Sequence, residues 1–511
     1  MRYRLVAILT GVALLVAACG LTVASGTLQG KSERYWQHEQ AQQLSDLSQE
    51  EREAASSLST KPKSFASHLP VVSISTGGAA IPGEPLRNKD GSYVLDEDGN
   101  HVYSTAEDGS ESVSVQLKAF DAQGQANRLA DEPSMQESCL VHVRGNSSRD
   151  FLKKSYALKF TDQEGLDKDV GLLGMSPSES WALYGPCLDK SLLRNYLSYG
   201  LAGEFMSQYV PQTRFCELFV NGEYQGLYLA VETPKVQEGR IELTKADPRS
   251  AQTSWLVQVQ SYEDDALATE TFLEYTLRQR NATYVEYPPQ TSITRAQLES
   301  IGQELSGFEK ALYSFDYDTS AYGYWNYIDV ESFVDYYVVN EFAMNLDFGA
   351  RSTFLHKDLR GKIVTGPVWD FNNCYGNFWD ESGTEGFCIA EGSWYYMLCK
   401  DEKFTGKLIK RYRELREGVL STQHIEETID AAAEYLGPAV ERNYKRWGVL
   451  FEPEKLDENN RLQPLERNPR SYDEAVDQLK GWIAERGAWL DSYIENLRQY
   501  SHESMVKKFN H

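Results

Sequence analysis

The hydrophobic period of this chain changes along its length, and that change constrains the fold more than any single motif. From Leu69-Pro-Val-Val-Ser-Ile74 onward apolar residues alternate as they do in strands. The pattern continues in short runs such as Tyr93-Val-Leu95, His101-Val-Tyr103, residues 141–160 and residues 216–231. Beyond residue 400 the repeat becomes helical. Phe404, Leu408, Tyr412 and Leu415 share one face, and Ile425, Ile429 and Ala432 share another until Gly437-Pro438 stops the pattern. Ser471-x-x-Glu474 is a capping box that opens a further helix, with Val476, Leu479, Ile483, Leu490 and Leu497 on its apolar side. Strands first and helices later describe an α+β protein.

The ends of the chain are of a different kind. Two arginines, Arg2 and Arg4, precede an apolar run from Leu5 to about Ala24, so residues 1–25 read as a signal or membrane anchor. Val16-Ala-Ala-Cys19 resembles a lipobox, in which Cys19 is lipidated. Basic residues on the short N-terminal side put the body on the extracellular face of a bacterial membrane. Residues 26–68 are rich in Gln, Glu, Ser and Ala and read as a flexible stalk. Residues 69–511 then form the folded body, with a strand-rich lobe over 69–240 and a mainly helical lobe over 241–511. Lys89-Asp-Gly91 and Glu97-Asp-Gly99 mark turns of a hairpin insert at 85–118. The Asp96/Asp98/Asn100 cluster lacks the glycine and glutamate positions of a calcium loop.

With 51 basic against 75 acidic residues the formal charge is −24, which argues against nucleic acid as a partner. Apart from Cys19 there are six cysteines and no CxxC spacing, so no zinc site is indicated. Export would allow pairing among them, with Cys374, Cys388 and Cys399 close in sequence.

Two polar stretches carry chemistry. In Gly366-Pro-Val-Trp-Asp-Phe-Asn-Asn-Cys-Tyr-Gly-Asn377 a short apolar strand runs into a turn bearing Asp370 and Asn372. A carboxylate and an amide oxygen two residues apart suit a hard divalent cation; an Asp that merely braces its own turn is the plainer alternative. Against the acidic background, residues 141–160 hold Arg144, Arg149, Lys153, Lys154 and Lys159 around Gly145-Asn-Ser-Ser148. A small-residue turn flanked by cations can cradle phosphate, and a solvated basic hairpin is the alternative.

These stretches also carry a resemblance. Arg144-Gly-Asn-Ser-Ser148 with Lys153-Lys-Ser-Tyr156 and Lys159 resembles the opening block of the spore-coat protein H (CotH) kinase family. Residues 181–195, residues 219–232, Asn340-Glu341 with Asn345-Leu-Asp347, and Gly366-Pro-Val-Trp-Asp-Phe371 resemble its later blocks, in order. The resemblance implies an atypical protein-kinase fold and Mg²⁺- or Mn²⁺-dependent transfer of the ATP γ-phosphoryl group to Ser or Thr of an exported or coat protein. Carried over by position, Lys154 meets the nucleotide phosphates, with Lys159 as fallback, and Arg144 and Ser148 belong to the same phosphate-binding block. Glu232, ending a hairpin strand, either contacts the nucleotide or pairs with a lysine, and Arg351, in the loop after Asp347, is a candidate phosphate contact. Asp347 is then the catalytic aspartate, and Asp370 with Asn372 holds the metal. Asn372 stands where the family usually has a second aspartate, which keeps a non-catalytic surface or coat-assembly role in play.

The remaining residues have bland readings beside these. Asp189 either favours the start of a helix running from about Ser191 to Phe205 or takes part in the nucleotide site. Asn221-Gly222 is a hairpin turn. Asp329 caps a helix that delivers Asn345 and Asp347 at its C-terminal end. A sugar-cleaving pair made of Asp347 and Asp370 is a third possibility, and it leaves the basic stretch unexplained. No P-loop, His-Glu-x-x-His or Gly-x-Ser-x-Gly pattern occurs.

Overall fold

The computed structural model describes residues 36–504, except 98, 262–266, 274–280, 350, 380–382 and 390–392. The expected anchor and the lipidated Cys19 lie outside the described residues. No helix among the described residues is long and apolar enough to cross a membrane.

The alternating half of the chain closes on itself. Seven strands, β1 (Val71–Ser75), β2 (Val113–Phe120), β3 (Met135–Val143), β4 (Tyr156–Phe160), β5 (Ser180–Tyr184), β6 (Thr213–Val220) and β7 (Glu223–Glu232), form a closed barrel in the order β1-β2-β3-β4-β5-β7-β6. All pairs are antiparallel except the closing one, β1 with β6. Closure removes the exposed edges that an open sheet of this size would present. Inward side chains such as Ile74, Val141, Leu158, Trp181 and Leu218 fill the interior. The β6–β7 hairpin turns on Asn221 and Gly222, both at positive φ (51° and 78°), the geometry of a primed turn.

A second sheet follows, in the order β12-β11-β8-β10-β9. Its strands are β8 (Trp255–Ser261), β9 (Ala268–Thr269), β10 (Asn281–Tyr287), β11 (Thr353–Lys357) and β12 (Val364–Thr365). The helices are α1 (Gln49–Ala55), α2 (Arg194–Phe205), α3 (Arg295–Tyr313), α4 (Val330–Ala343), α5 (Glu402–Arg416), α6 (Thr422–Leu436), α7 (Pro438–Trp447) and α8 (Tyr472–Tyr493), besides short turns. The cap signals behave as their chemistry dictates. Asp329 accepts from Ser332 N at 2.8 Å, and Ser471 accepts from Glu474 N at 3.1 Å. Helix α4 is buried on almost every side, and its Glu341 pairs with Arg486 of α8 at 2.6 Å.

Three expectations need correction. Residues 36–68 are no stalk where they are described: they fold onto the body. Trp36 packs so closely on Gly200 of α2 that a Cβ there would meet its ring at 1.9 Å, and the Gln37 amide bonds both backbone groups of Phe215. Few but large apolar groups, Trp36, Leu47 and Phe65, supply the burial that the polar composition concealed. The insert is shorter than 85–118. Isolated bridges such as Pro85–Tyr103 and Leu95–His101 build it, and residues 113–118 belong to barrel strand β2. Nor does the packing break at residue 240. The described residues from 36 to 504 form one compact unit, and a single core runs from the barrel residues Phe215 and Leu229 through Trp255 to α4, α5 and α8. The six described cysteines are free thiols, five of them buried.

Candidate active site

Two chain reversals bring the acidic residues to one place. From β12 the chain passes through Gly366 (φ +117°) to Val368 and Trp369, both buried, and then to Asp370 at φ +63°. A non-glycine residue in the left-handed region costs on the order of 1 kcal/mol or more and persists only where its surroundings enforce it. Here α2 does so. The Asp370 amide donates to the Tyr199 hydroxyl at 3.1 Å, and the Phe371 amide donates to Asn195 Oδ1 at 2.8 Å. Arg194 Nε and Nη2 donate to the carbonyls of Cys374 (3.0 Å) and Tyr375 (3.3 Å), and the Tyr375 amide donates to Ala343 O at the end of α4 (2.9 Å).

The second reversal ends α4. Met344 adopts the left-handed conformation (φ 51°) that closes the helix. Asn345, buried, donates to Asn340 Oδ1 at 2.9 Å and accepts the Asp347 amide at 3.2 Å, which fixes where the aspartate leaves the helix. Asp347 keeps 23% of its side chain exposed, and Arg351 reaches it at 3.9 Å with a largely exposed guanidinium.

The charge of Asp347 acts on Asp370. Burial pushes the Asp370 carboxyl up to about 6; the Arg144 guanidinium opposes this and the charge of Asp347 adds to it. Arg144, just past β3, also lies over the Trp369 ring with its Cζ 5.4 Å from the centroid. The structure therefore assembles Asp347, Asp370, Arg144 and Arg351. A buried carboxylate that resists ionisation, with a second carboxylate and a guanidinium acting on it, is suited to a hard cation and to phosphate oxygens. Asn372 sits two residues on, partly exposed, with its Nδ2 donating to Asn373 at 3.0 Å. Among the described residues no three His, Cys, Asp or Glu side chains converge to form a metal cage. Any cation here would complete its shell with amide, water or substrate oxygens.

The lysines have other partners. Lys154 Nζ donates to Arg149 O at 2.7 Å and faces Glu84 at 3.9 Å. It lines a cavity of about 620 Å³ shared with the insert, Asp150 and Arg446. Lys159 points outward from β4 and pairs with Asp167 at 2.8 Å. Ser148 lies at the turn, its Oγ occupying the space above Gly145 (φ +112°). Glu232 ends β7 fully buried; its Oε2 accepts from Tyr209 and from the Gln212 amide, while Oε1 has no hydrogen-bond partner. An orphaned buried acceptor is consistent with a ligand that donates to it, such as a nucleobase amine.

Asp189 takes the plain reading. It accepts from Ser191 and from the Arg194 amide and guanidinium, the last at 2.6 Å. Sequence reasoning gave no role to Asn195 and Tyr199, which hold the Asp370 loop. The available signal was their i, i+4 spacing, which puts both on one face of α2.

The fold and this site define an α+β protein whose barrel offers a guanidinium to two loop carboxylates. The chain belongs to the CotH kinase protein family, whose model matches residues 141–490, more than half of its length. No curated protein matches it. The family span contains every site candidate from Arg144 to Asn372, whereas β1, β2 and the insert precede it.

Proposed function

We propose that this protein is a metal-dependent protein kinase with a kinase-like division of labour, tethered outside the cell and acting on Ser or Thr of an exported or cell-surface protein. The observation that carries the reading is the convergence of Asp347, Asp370 and Arg144 on a loop braced by α2. Phosphoryl transfer asks a protein mainly for positioning and charge compensation. Mg²⁺ or Mn²⁺, when bound, neutralises the nucleotide phosphates. Asp370 and the Asn372 amide oxygen would hold it, and Glu232 Oε1 would receive the nucleobase. Asp347, the more exposed carboxylate, orients the substrate hydroxyl and takes its proton. Arg144 is the cation that acts on Asp370, so it is the better candidate than Lys154 for meeting phosphate.

The full chain, incubated with labelled ATP and either metal, should transfer label to itself or to Ser-rich protein. Asp370→Ala and Asp347→Ala should abolish transfer. Arg144→Met should lower it by about 10²-fold, the usual scale for one lost charge-stabilising group, and Lys154→Ala should lower it less. Absence of label from a folded wild type with both metals would favour the coat-assembly reading. The replacement of an aspartate by Asn372 keeps that reading alive, and Asn372→Asp then becomes the informative variant.

A further inference from the structure

Behind the Asp370 loop lies a cavity of about 360 Å³ whose floor is Tyr375, Gly376 and Asn377 and whose far wall is α8. Lys190 lines it, 1% exposed, and its ammonium makes a single long hydrogen bond, to Asn468 Oδ1 at 3.4 Å. The adjacent carboxylate does not pair with it. Both oxygens of Asp189 are taken by Ser191 and Arg194, at 2.6 Å from Ser191 Oγ and from Arg194 Nη1 and 2.9 Å from the Arg194 amide. On the opposite wall Trp482 Nε1–H is buried without an acceptor. One ammonium with a single long acceptor and one indole N–H with none make an incomplete hydrogen-bond set in this cavity, and the under-compensated ammonium is the costlier of the two.

The charges around the cavity do not cancel. Lys190, Arg194 and Arg467 line it against Glu485 and the Asp189 that Arg194 uses, which leaves one positive charge in excess. Leu188, Leu462 and Ala475 add apolar wall. We propose that this cavity is a binding site for a small phosphate-bearing anion, whose oxygens accept from Lys190 Nζ and Trp482 Nε1. In keeping with this, burial lowers the Lys190 ammonium to about 8, so the fold alone disfavours the charge that a bound anion would restore. The site is separate from the Asp347–Asp370 pair and does not depend on the kinase reading.

The test is equilibrium binding of inorganic phosphate, and in parallel of phenyl phosphate, to the full chain without divalent metal. Saturable binding is expected in the wild type and equally in Asp370→Asn. It should weaken about tenfold or more in Lys190→Met, the scale of a lost charge-assisted hydrogen bond. Tighter binding of phenyl phosphate would assign a phosphomonoester, and equal binding the free anion; either supports the site. No saturable binding to the wild type, undiminished binding in folded Lys190→Met, or loss of binding in Asp370→Asn would each overturn it. Should Lys190→Met not fold, Trp482→Phe removes only the N–H donor and decides the matter: several-fold weakening supports the site and unchanged affinity overturns it.

Discussion

At the scale of single residues, Asp370 concentrates the argument, because one side chain combines a left-handed backbone, burial and a neighbouring carboxylate. Its carboxyl rises on folding from 3.8 to about 6, so the folded state prefers it protonated. The sign follows from linkage. A raised pKa contributes stability that is complete below the unfolded value and is lost as pH rises through the folded one. Without divalent metal, Asp370→Asn should therefore melt above the wild type at pH 7–8 and close to it near pH 4, as thermal unfolding at the two pH values would read. Divalent metal competes with the same proton, so its affinity should climb as pH passes through about 6. Arg144→Met removes the opposing charge and should move that rise to higher pH, measurable by metal titration.

At the scale of elements, the barrel is tied to the helices by a fully buried ion pair. Arg442 of α7 grips Glu217 of β6 at 2.9 and 2.6 Å, and its third nitrogen donates to the carbonyls of Ala55 and Ser57. Arg442→Ala leaves Glu217 uncompensated and should destabilise by ~3–5 kcal/mol, whereas Arg442→Met with Glu217→Leu should cost far less. Urea unfolding of the two variants separates the effects. A similar brace, Arg486 on Glu341, joins α8 to α4, and Glu341 also accepts the amides of Cys388 and Ile389. These braces were not legible from periodicity, because each joins residues far apart in the chain.

At the scale of the whole molecule, the segment before β1 is part of the body. Trp36 on Gly200, the Trp36 indole donating to Glu204 at 2.8 Å, and Arg442 on the backbone at 55 and 57 all bridge it to the rest. A chain beginning at residue 69 should unfold several degrees below one beginning at residue 36, since ~25 cal/mol per Å2 of lost apolar burial accumulates quickly for Trp36 and Phe65. Calorimetry of the two would show it; equal melting points would return residues 36–68 to a stalk.

Local physics settled part of this in the sequence itself. Alternation named strands, 3.6-residue spacing named helices, and Asp329, Ser471 and Asn221-Gly222 set boundaries, because each of these acts on its immediate neighbours. The acidic turn and the helix end bearing Asp347 were legible for the same reason. What needed the tertiary structure was everything decided by closure and burial. The strands close into a barrel, Trp36 finds Gly200, and the charge of Arg144 acts on Asp370 while Lys154 bonds the Arg149 carbonyl. Lysines and arginines clustered in sequence alternate in direction along a strand and its turn. Which of them meets a distant carboxylate is therefore fixed only when the chain comes back to it.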